Sequence, residues 1–404
     1  MSGASEGPGQ AVSNTPPRRS RRTVMLVAGI AALVLVAGGL TWAFAGHGGS
    51  AAAAVKSHQS KPAPPLRVVS MKPAASSHGV NGGGPFTVTF SAPLAASSAM
   101  PAFAPAMKGT WAPVMTKATK KAKARPTSTM VFTPATGFRP HTRVKMTIPA
   151  GPDGVRSAAG GMLSSEVTSR FRTGSYSTLR LQQMLAELGY LPLKWTPNGT
   201  NPAATDAQAQ LSAAYSPPAG SFSWKHGYPH MLHTMWREGH NSLIDEGAIR
   251  AFESVEGMTM DGVAGPTVWR DLLRAVAKDK HNPNGYTYAY ASKASPETLT
   301  IWHDGHVVLH TLANTGIPAA PTADGTNPVY IRMPFQIMKG TNPDGSHYAD
   351  PVQNVSYFNA GEAVHYFPRG SYGFEQSLGC VELPLAQSAV AYRYLTYGSL
   401  VTVQ

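Results

Sequence analysis

Two stretches near the C-terminus decide the reading: Ala363-Val364-His365-Tyr366-Phe367, and Gln376-Ser377-Leu378-Gly379-Cys380-Val381-Glu382-Leu383. The first is a β-type run ending in polar turn residues. The second holds the only cysteine of the chain. A thiol attacks as its thiolate, so chemistry at Cys380 needs a base or cation beside it to overcome a resting pKa of ~8.5. His365 is the natural candidate. Gly379 lets the backbone turn tightly, so that main-chain N–H groups can point at a developing oxyanion. An inert buried cysteine is the plain alternative, weaker in a chain that otherwise avoids the residue.

The rest of the chain bounds what surrounds this pair. Its 404 residues, 42% hydrophobic and 14% charged, hold ample core material but exceed one ordinary domain, so two to four domains are expected. Forty Gly and 34 Pro point to a loop-rich, mainly β protein. A net charge of +13 favours anionic partners: nucleic acid, a membrane surface or an anionic wall polymer. One cysteine excludes an intramolecular disulfide, an iron–sulfur cluster and a thiolate zinc site.

Arg18, Arg19, Arg21 and Arg22 form a basic tail within residues 1–22, and residues 23–45 carry no charge. As a helix this run spans ~35 Å, enough for a bilayer. The arginines would keep the N-terminus cytoplasmic and place the rest outside, in contact with the cell wall. A cleaved signal peptide, ending near Ala43-Phe44-Ala45, is the rival reading. Either way the bulk of the chain is exported. Residues 46–65 read as an extended linker.

Between 66 and 174, Leu66–Val69, Phe86–Phe90, Met130–Phe132, Arg143–Ile148 and Val167–Phe171 alternate between turn residues, the spacing of an immunoglobulin-like β-sandwich. Lys117, Lys120, Lys121, Lys123 and Arg125 lack interleaved aromatics. They read as a solvated hairpin loop, at most a contact for anionic polymer or lipid headgroups, and not as a nucleic-acid site.

From Thr178 the period becomes helical, with Leu181, Met184, Leu185 and Leu188 on one face and Gly189 as a stop. Ile249, Phe252 and Val255 follow the same spacing, and Pro266 opens a third helix. Leu181-Gln182, Leu188-Gly189-Tyr190, Ala251-Phe252-Glu253, Gly257-Met258, Asp261-Gly262, Gly265, Thr267 and Trp269 resemble the three-helix peptidoglycan-binding module, which implies a wall-recognising domain over 175–280. The departure is an insertion at about 195–240. It holds His226, His230, His233 and His240, which would suit zinc only on a continuous helix, and Gly227 and Pro229 interrupt one. Trp224, Tyr228 and Trp236 either stack on sugars or pack the insertion inward. Similarly, His303, His306 and His310 flank an Asp304-Gly305 hairpin turn and do not form a helical metal site. No metal or cofactor is expected.

Residues 286–404 carry the second resemblance. His365, Ser377-x-Gly379-Cys380, Asn314-Thr315-Gly316, Pro321-Thr322-x-Asp324-Gly325 and Tyr357-Phe358-Asn359 are together similar to the L,D-transpeptidase catalytic domain. The resemblance implies a β-rich fold and a cysteine acyltransferase. Cys380 would attack the third residue of a peptidoglycan stem tetrapeptide and release the terminal D-alanine. The resulting thioester would pass to an amine of a neighbouring stem, giving a 3→3 cross-link, or to water. It further implies His365 as base, backbone N–H groups of Leu378, Gly379 and Cys380 as oxyanion hole, and Tyr357, Asn359 and Ser377 as substrate-binding residues. Two positions depart: Leu378 stands where the family usually has histidine, and Glu382 where it usually has arginine or asparagine. Glu382 is expected to pair with Arg369 or Arg393.

The expected architecture is therefore multidomain and mainly β: an N-terminal transmembrane helix, an immunoglobulin-like sandwich, a small three-helix peptidoglycan-binding domain and a C-terminal transpeptidase domain. Stem peptides, the membrane and anionic wall polymers are the expected partners. The alternative is a non-catalytic wall-binding scaffold with a degenerate site; a zinc peptidase using the 226–240 histidines is the third reading.

Overall fold

Alternation between residues 66 and 174 becomes two facing sheets. The computed structural model describes residues 63–404. In it β1 (Val68–Lys72), β2 (Phe86–Phe90), β3 (Ala102–Ala104), β4 (Gly109–Met115), β5 (Pro126–Pro134), β6 (Arg143–Ile148) and β7 (Val167–Arg172) form sheets of order β1-β2-β5-β4 and β3-β6-β7. Phe86, Val88 and Phe90 point inward along β2, and Met130, Phe132, Val144, Met146, Ile148 and Phe171 meet them from β5, β6 and β7. The basic run lies on the exposed connection between β4 and β5. The sequence reading missed β3 and β4, because one is three residues long and the other exposes most of its side chains.

The middle segment contains α1 (Thr178–Glu187), β8 (Leu193–Pro197), α2 (Ala207–Tyr215), β9 (Gly220–Trp224), α3 (His230–His233), α4 (Leu243–Val255) and α5 (Pro266–Ala277). Gly189, at φ 79°, closes α1, with Tyr190 N–H donating to Leu185 O at 2.8 Å. A reciprocal cap between Ser242 and Asp245 starts α4.

The expected small three-helix domain is corrected here. Leu181, Leu185, Phe252, Trp269 and Leu272 share one core with Trp195 and Tyr228 of the insertion and with Tyr286, Tyr288 and Leu400 of the C-terminal sheet. The helices thus cover one face of that sheet and do not close on themselves. The insertion is part of that packing. Trp195 lies 5.5 Å from Phe222, Phe222 lies 5.1 Å from Trp236, and His233 stacks on Trp224 at 4.1 Å between ring centres. Helix α2 docks on the sandwich: Asn81 Nδ2 donates to Ser212 O at 3.1 Å and Tyr215 OH to Phe138 O at 2.7 Å. Gly83 permits this approach, since a Cβ there would stand 2.8 Å from the Ser212 nitrogen.

The transmembrane part of the expected fold class is also corrected. Among the described residues no helix is long and apolar enough to cross a membrane. The longest, α4 with 13 residues, reaches only ~20 Å against a ~30 Å hydrocarbon layer. The run 23–45 lies outside the described residues.

In the C-terminal domain β10 (Thr287–Ser292), β11 (Thr298–His303), β12 (His306–Leu312), β13 (Gly325–Pro328), β14 (Ile331–Thr341), β15 (His347–Asn359), β16 (Glu362–Tyr366), β17 (Val381–Leu383), α6 (Leu385–Tyr394) and β18 (Leu400–Val403) build two sheets. Their orders are β12-β11-β10-β18-β13 and β14-β15-β16-β17. Asp304 (φ 46°) and Gly305 (φ 82°) form the hairpin turn between β11 and β12. Ala289, Leu299, Ile301, Val364, Val381, Leu383, Val401 and Val403 fill the space between the sheets. The long hairpin of β14 and β15 extends over the opposite face of the second sheet, where it walls a cavity.

Candidate active site

Strands β16 and β17 run parallel, with Val364 opposite Val381, His365 opposite Glu382 and Tyr366 opposite Leu383. Side chains alternate along a strand, so burying Val364, Val381 and Leu383 between the sheets sends His365 and Glu382 to the other face. Cys380 immediately precedes β17 and shares that face, diagonal to His365. Both line a cavity of about 420 Å³ with Glu382, Arg369, Phe367, Gln376, Leu378 and Gly361. Its far wall is the β14–β15 hairpin, through Gln336, Met338, Lys339, Tyr348, Asp350 and Tyr357.

The imidazole of His365 is buried, and its Nδ1 lies 2.9 Å from the backbone oxygen of Tyr366. A carbonyl can only accept, so Nδ1 carries the proton and Nε2 keeps its lone pair. The position after the histidine thus orients it through its main chain. Burial holds the His365 pKa below the usual value, opposed by the Tyr366 carbonyl and by Glu382, while Arg369 adds to the depression.

Burial also pushes the Cys380 thiol up to about 12, with Glu382 and Glu362 adding to the rise and a backbone hydrogen bond from Ala363 opposing it. The residue as a whole is half-buried, and its sulfur lies 3.8 Å from Gly361 O. At neutral pH the resting pair is a neutral thiol beside a neutral imidazole.

The turn leading into Cys380 is fixed from below. Gly379 sits at φ 110°, a conformation that disfavours a side chain. The hydroxyl of Ser377 donates to Cys380 O at 2.6 Å and accepts from Gly379 N–H at 3.2 Å. The amides of Leu378 and Cys380 have no such partner among the described residues, which leaves two N–H donors beside the sulfur. Asn314 exchanges backbone hydrogen bonds with Glu382 at 3.0 and 2.9 Å, and Gly316 bridges to Ser377. Buried Glu297 holds Thr315 through its amide at 2.6 Å and its hydroxyl at 2.7 Å. The Asn-Thr-Gly segment is therefore the underside of the cysteine turn.

Of the residues expected to touch substrate, Tyr357 lines the cavity, its hydroxyl donating to Gln336 Oε1 at 3.0 Å. Ser377 is buried inside the turn, and Asn359 donates to Glu362 Oε2 at 2.9 Å; neither lines the cavity. Glu382 pairs with Arg369 and not with Arg393: Nε reaches Oε2 at 2.8 Å and Nη2 reaches Oε1 at 2.9 Å. Arg393 lies over the Tyr394 ring. The hairpin residues Gln336, Met338, Lys339, Tyr348 and Asp350 were missed by sequence reasoning, although Asn342-Pro343-Asp344-Gly345 between two alternating runs is a turn signal. Among the described residues no group of three His, Cys, Asp or Glu side chains is disposed to hold a metal ion.

The arrangement suits acyl transfer: a thiol, a base of fixed tautomer, adjacent amide donors and an open groove. Residues 286–403 match the L,D-transpeptidase catalytic domain family. The chain carries an L,D-transpeptidase catalytic domain. Residues 62–173 match the bacterial Ig-like domain family, and neither match covers 174–285. No curated protein matches the chain. Solved structures similar to it include an L,D-transpeptidase from Mycobacterium smegmatis, 15% identical, covering 84% of this chain and 100% of that one at a TM-score of 0.28. L,D-transpeptidase 3 from Mycobacterium tuberculosis is 15% identical over 83% of this chain and 98% of its own, TM-score 0.27. The catalytic domain of the E. faecium L,D-transpeptidase is 26% identical over 29% of this chain and 96% of its own, TM-score 0.27. The assignment rests on the family match over 286–403. It supports an acyltransferase-type transpeptidase whose family acts on peptidoglycan stem peptides, and its pairing with an Ig-like domain suggests an extracytoplasmic, wall-associated protein.

Proposed function

We propose that this chain forms 3→3 peptidoglycan cross-links with Cys380 as nucleophile and His365 as general base. The observation that carries the reading is the placement of both side chains on one face of β16 and β17, toward one cavity, with Nδ1 of His365 held by Tyr366 O. Nε2 takes the thiol proton as sulfur bonds to the carbonyl carbon of the third stem residue. The amides of Leu378 and Cys380 receive the oxyanion. Collapse breaks the C–N bond, and His365 returns its proton to the departing amine of D-alanine. The thioester is then attacked by a side-chain amine of a second stem; the C–S bond breaks, and the amine's proton passes by way of Nε2 to the departing sulfur, which regenerates the thiol and the neutral imidazole.

The test is incubation of the full chain with a disaccharide-tetrapeptide, followed by mass spectrometry. The account expects release of one D-alanine per dimer formed and fragment masses that place the new bond between third residues, with neither product from Cys380→Ala. Binding without turnover by native protein would sink the proposal in favour of a wall-binding scaffold.

A further inference from the structure

We propose that Arg369 is a specificity residue that reads a carboxylate of the donor stem peptide through its free Nη1 edge. The inference rests on the transpeptidase reading. A guanidinium has five N–H donors. Three are spent on protein: Nε on Glu382 Oε2, and Nη2 on Glu382 Oε1 at 2.9 Å and on Gln376 O at 2.9 Å. The two on Nη1 make no bond among the described residues, yet the side chain lines the cavity and is 27% exposed. A counter-ion needed only to neutralise Glu382 has no reason to open toward the groove.

The guanidinium is also fixed in advance. It lies over the Phe367 ring at 4.6 Å, and the side chain of Glu382, 5% exposed, grips one edge with both oxygens. Holding the fork in place lowers the entropy lost when a second carboxylate docks. The two cations on the cavity lining are Arg369 and Lys339, and Lys339 is an exposed side chain on the opposite hairpin.

Reach agrees with this role. Glu382 follows Cys380 by two residues on the same face, about 6.6 Å along a strand, and Arg369 lies beside Glu382. A donor held at the sulfur carries carboxylates one residue or one side chain from its scissile carbonyl, which is the same scale. The position two after the cysteine holds an acid in this chain, and that acid presents a cation taken from a different loop.

The experiment compares kcat/KM of the full chain on three stem tetrapeptides: the free acid, the C-terminal amide, and the amide of the third residue's side-chain carboxylate. Wild type should lose roughly ten- to hundredfold on one of the two amides, which identifies the carboxylate read. Arg369→Gln combined with Glu382→Gln, which leaves no unpaired buried charge, should bring that acid-to-amide ratio to within about twofold of unity, the ratio being read within one protein so that any change in overall turnover cancels. Equal use of all three peptides by wild type would overturn the proposal without any variant, and so would an unchanged ratio in the double variant. Wild type that turns over none of them and takes up no carbapenem would instead overturn the underlying transpeptidase reading, and the proposal with it.

Discussion

Alkylation of Cys380 as a function of pH tests whether the resting pair is neutral. Burial and two nearby carboxylates move the thiol from an ordinary 9.0 to about 12, so at pH 8 the thiolate is roughly a thousandfold scarcer than in an unhindered cysteine. A more basic thiolate is more nucleophilic, and with a Brønsted slope near 0.45 this recovers a factor of roughly twenty. The net expectation is iodoacetamide alkylation roughly fiftyfold slower than that of a small-molecule thiol at pH 8. The sign follows from the raised pKa: alkylation should climb tenfold per pH unit through pH 9 and 10 with no plateau. His365 is uncharged there, because its pKa is lowered, so His365→Ala should change alkylation by less than about threefold. The same substitution should slow acylation by a β-lactam by about a hundredfold or more, because that step needs a base. The assay is stopped-time mass spectrometry of the single thiol in native protein. A plateau below pH 8, abolished by His365→Ala, would refute the reasoning and indicate a preformed thiolate–imidazolium pair.

Gly379→Ala has room for its methyl group, with the nearest atom at an ordinary 3.7 Å, but forces an alanine to φ 110°. It should cost about 1–3 kcal/mol locally and slow β-lactam acylation by about tenfold or more with only a small shift in Tm; an unchanged acylation rate would show that the turn does not depend on the glycine. Ser242→Ala removes the hydroxyl that accepts from Asp245 N–H at 3.2 Å and should lower stability by about 1 kcal/mol in urea unfolding, leaving acylation untouched.

The turn at Asp304-Gly305 and the glycine stop after α1 were legible because each depends on local backbone chemistry. His365 and Cys380 were legible as residue types, and the parallel register of β16 and β17 places them on one face. What sequence did not reveal depends on distant chain. Leu181, Phe252 and Trp269 have the spacing of a self-contained helical domain, yet their core is completed by Tyr288 and Leu400, whose contribution no local period encodes. The cavity wall was missed for a related reason. Pro334 sits within β14 and Asn354 takes φ 59° within β15, so the period-two pattern is interrupted and does not read as two long strands. Ser377 and Asn359 lie beside the site in sequence, and the fold uses their side chains to hold turns.

The most direct test of the central claim is intact-mass spectrometry of the full chain after incubation with a carbapenem, beside Cys380→Ala and His365→Ala. The account predicts one covalent adduct on wild type, none on Cys380→Ala, and slow formation on His365→Ala. Folded wild type that stays unmodified at high drug concentration, or an adduct that persists on Cys380→Ala, would contradict it.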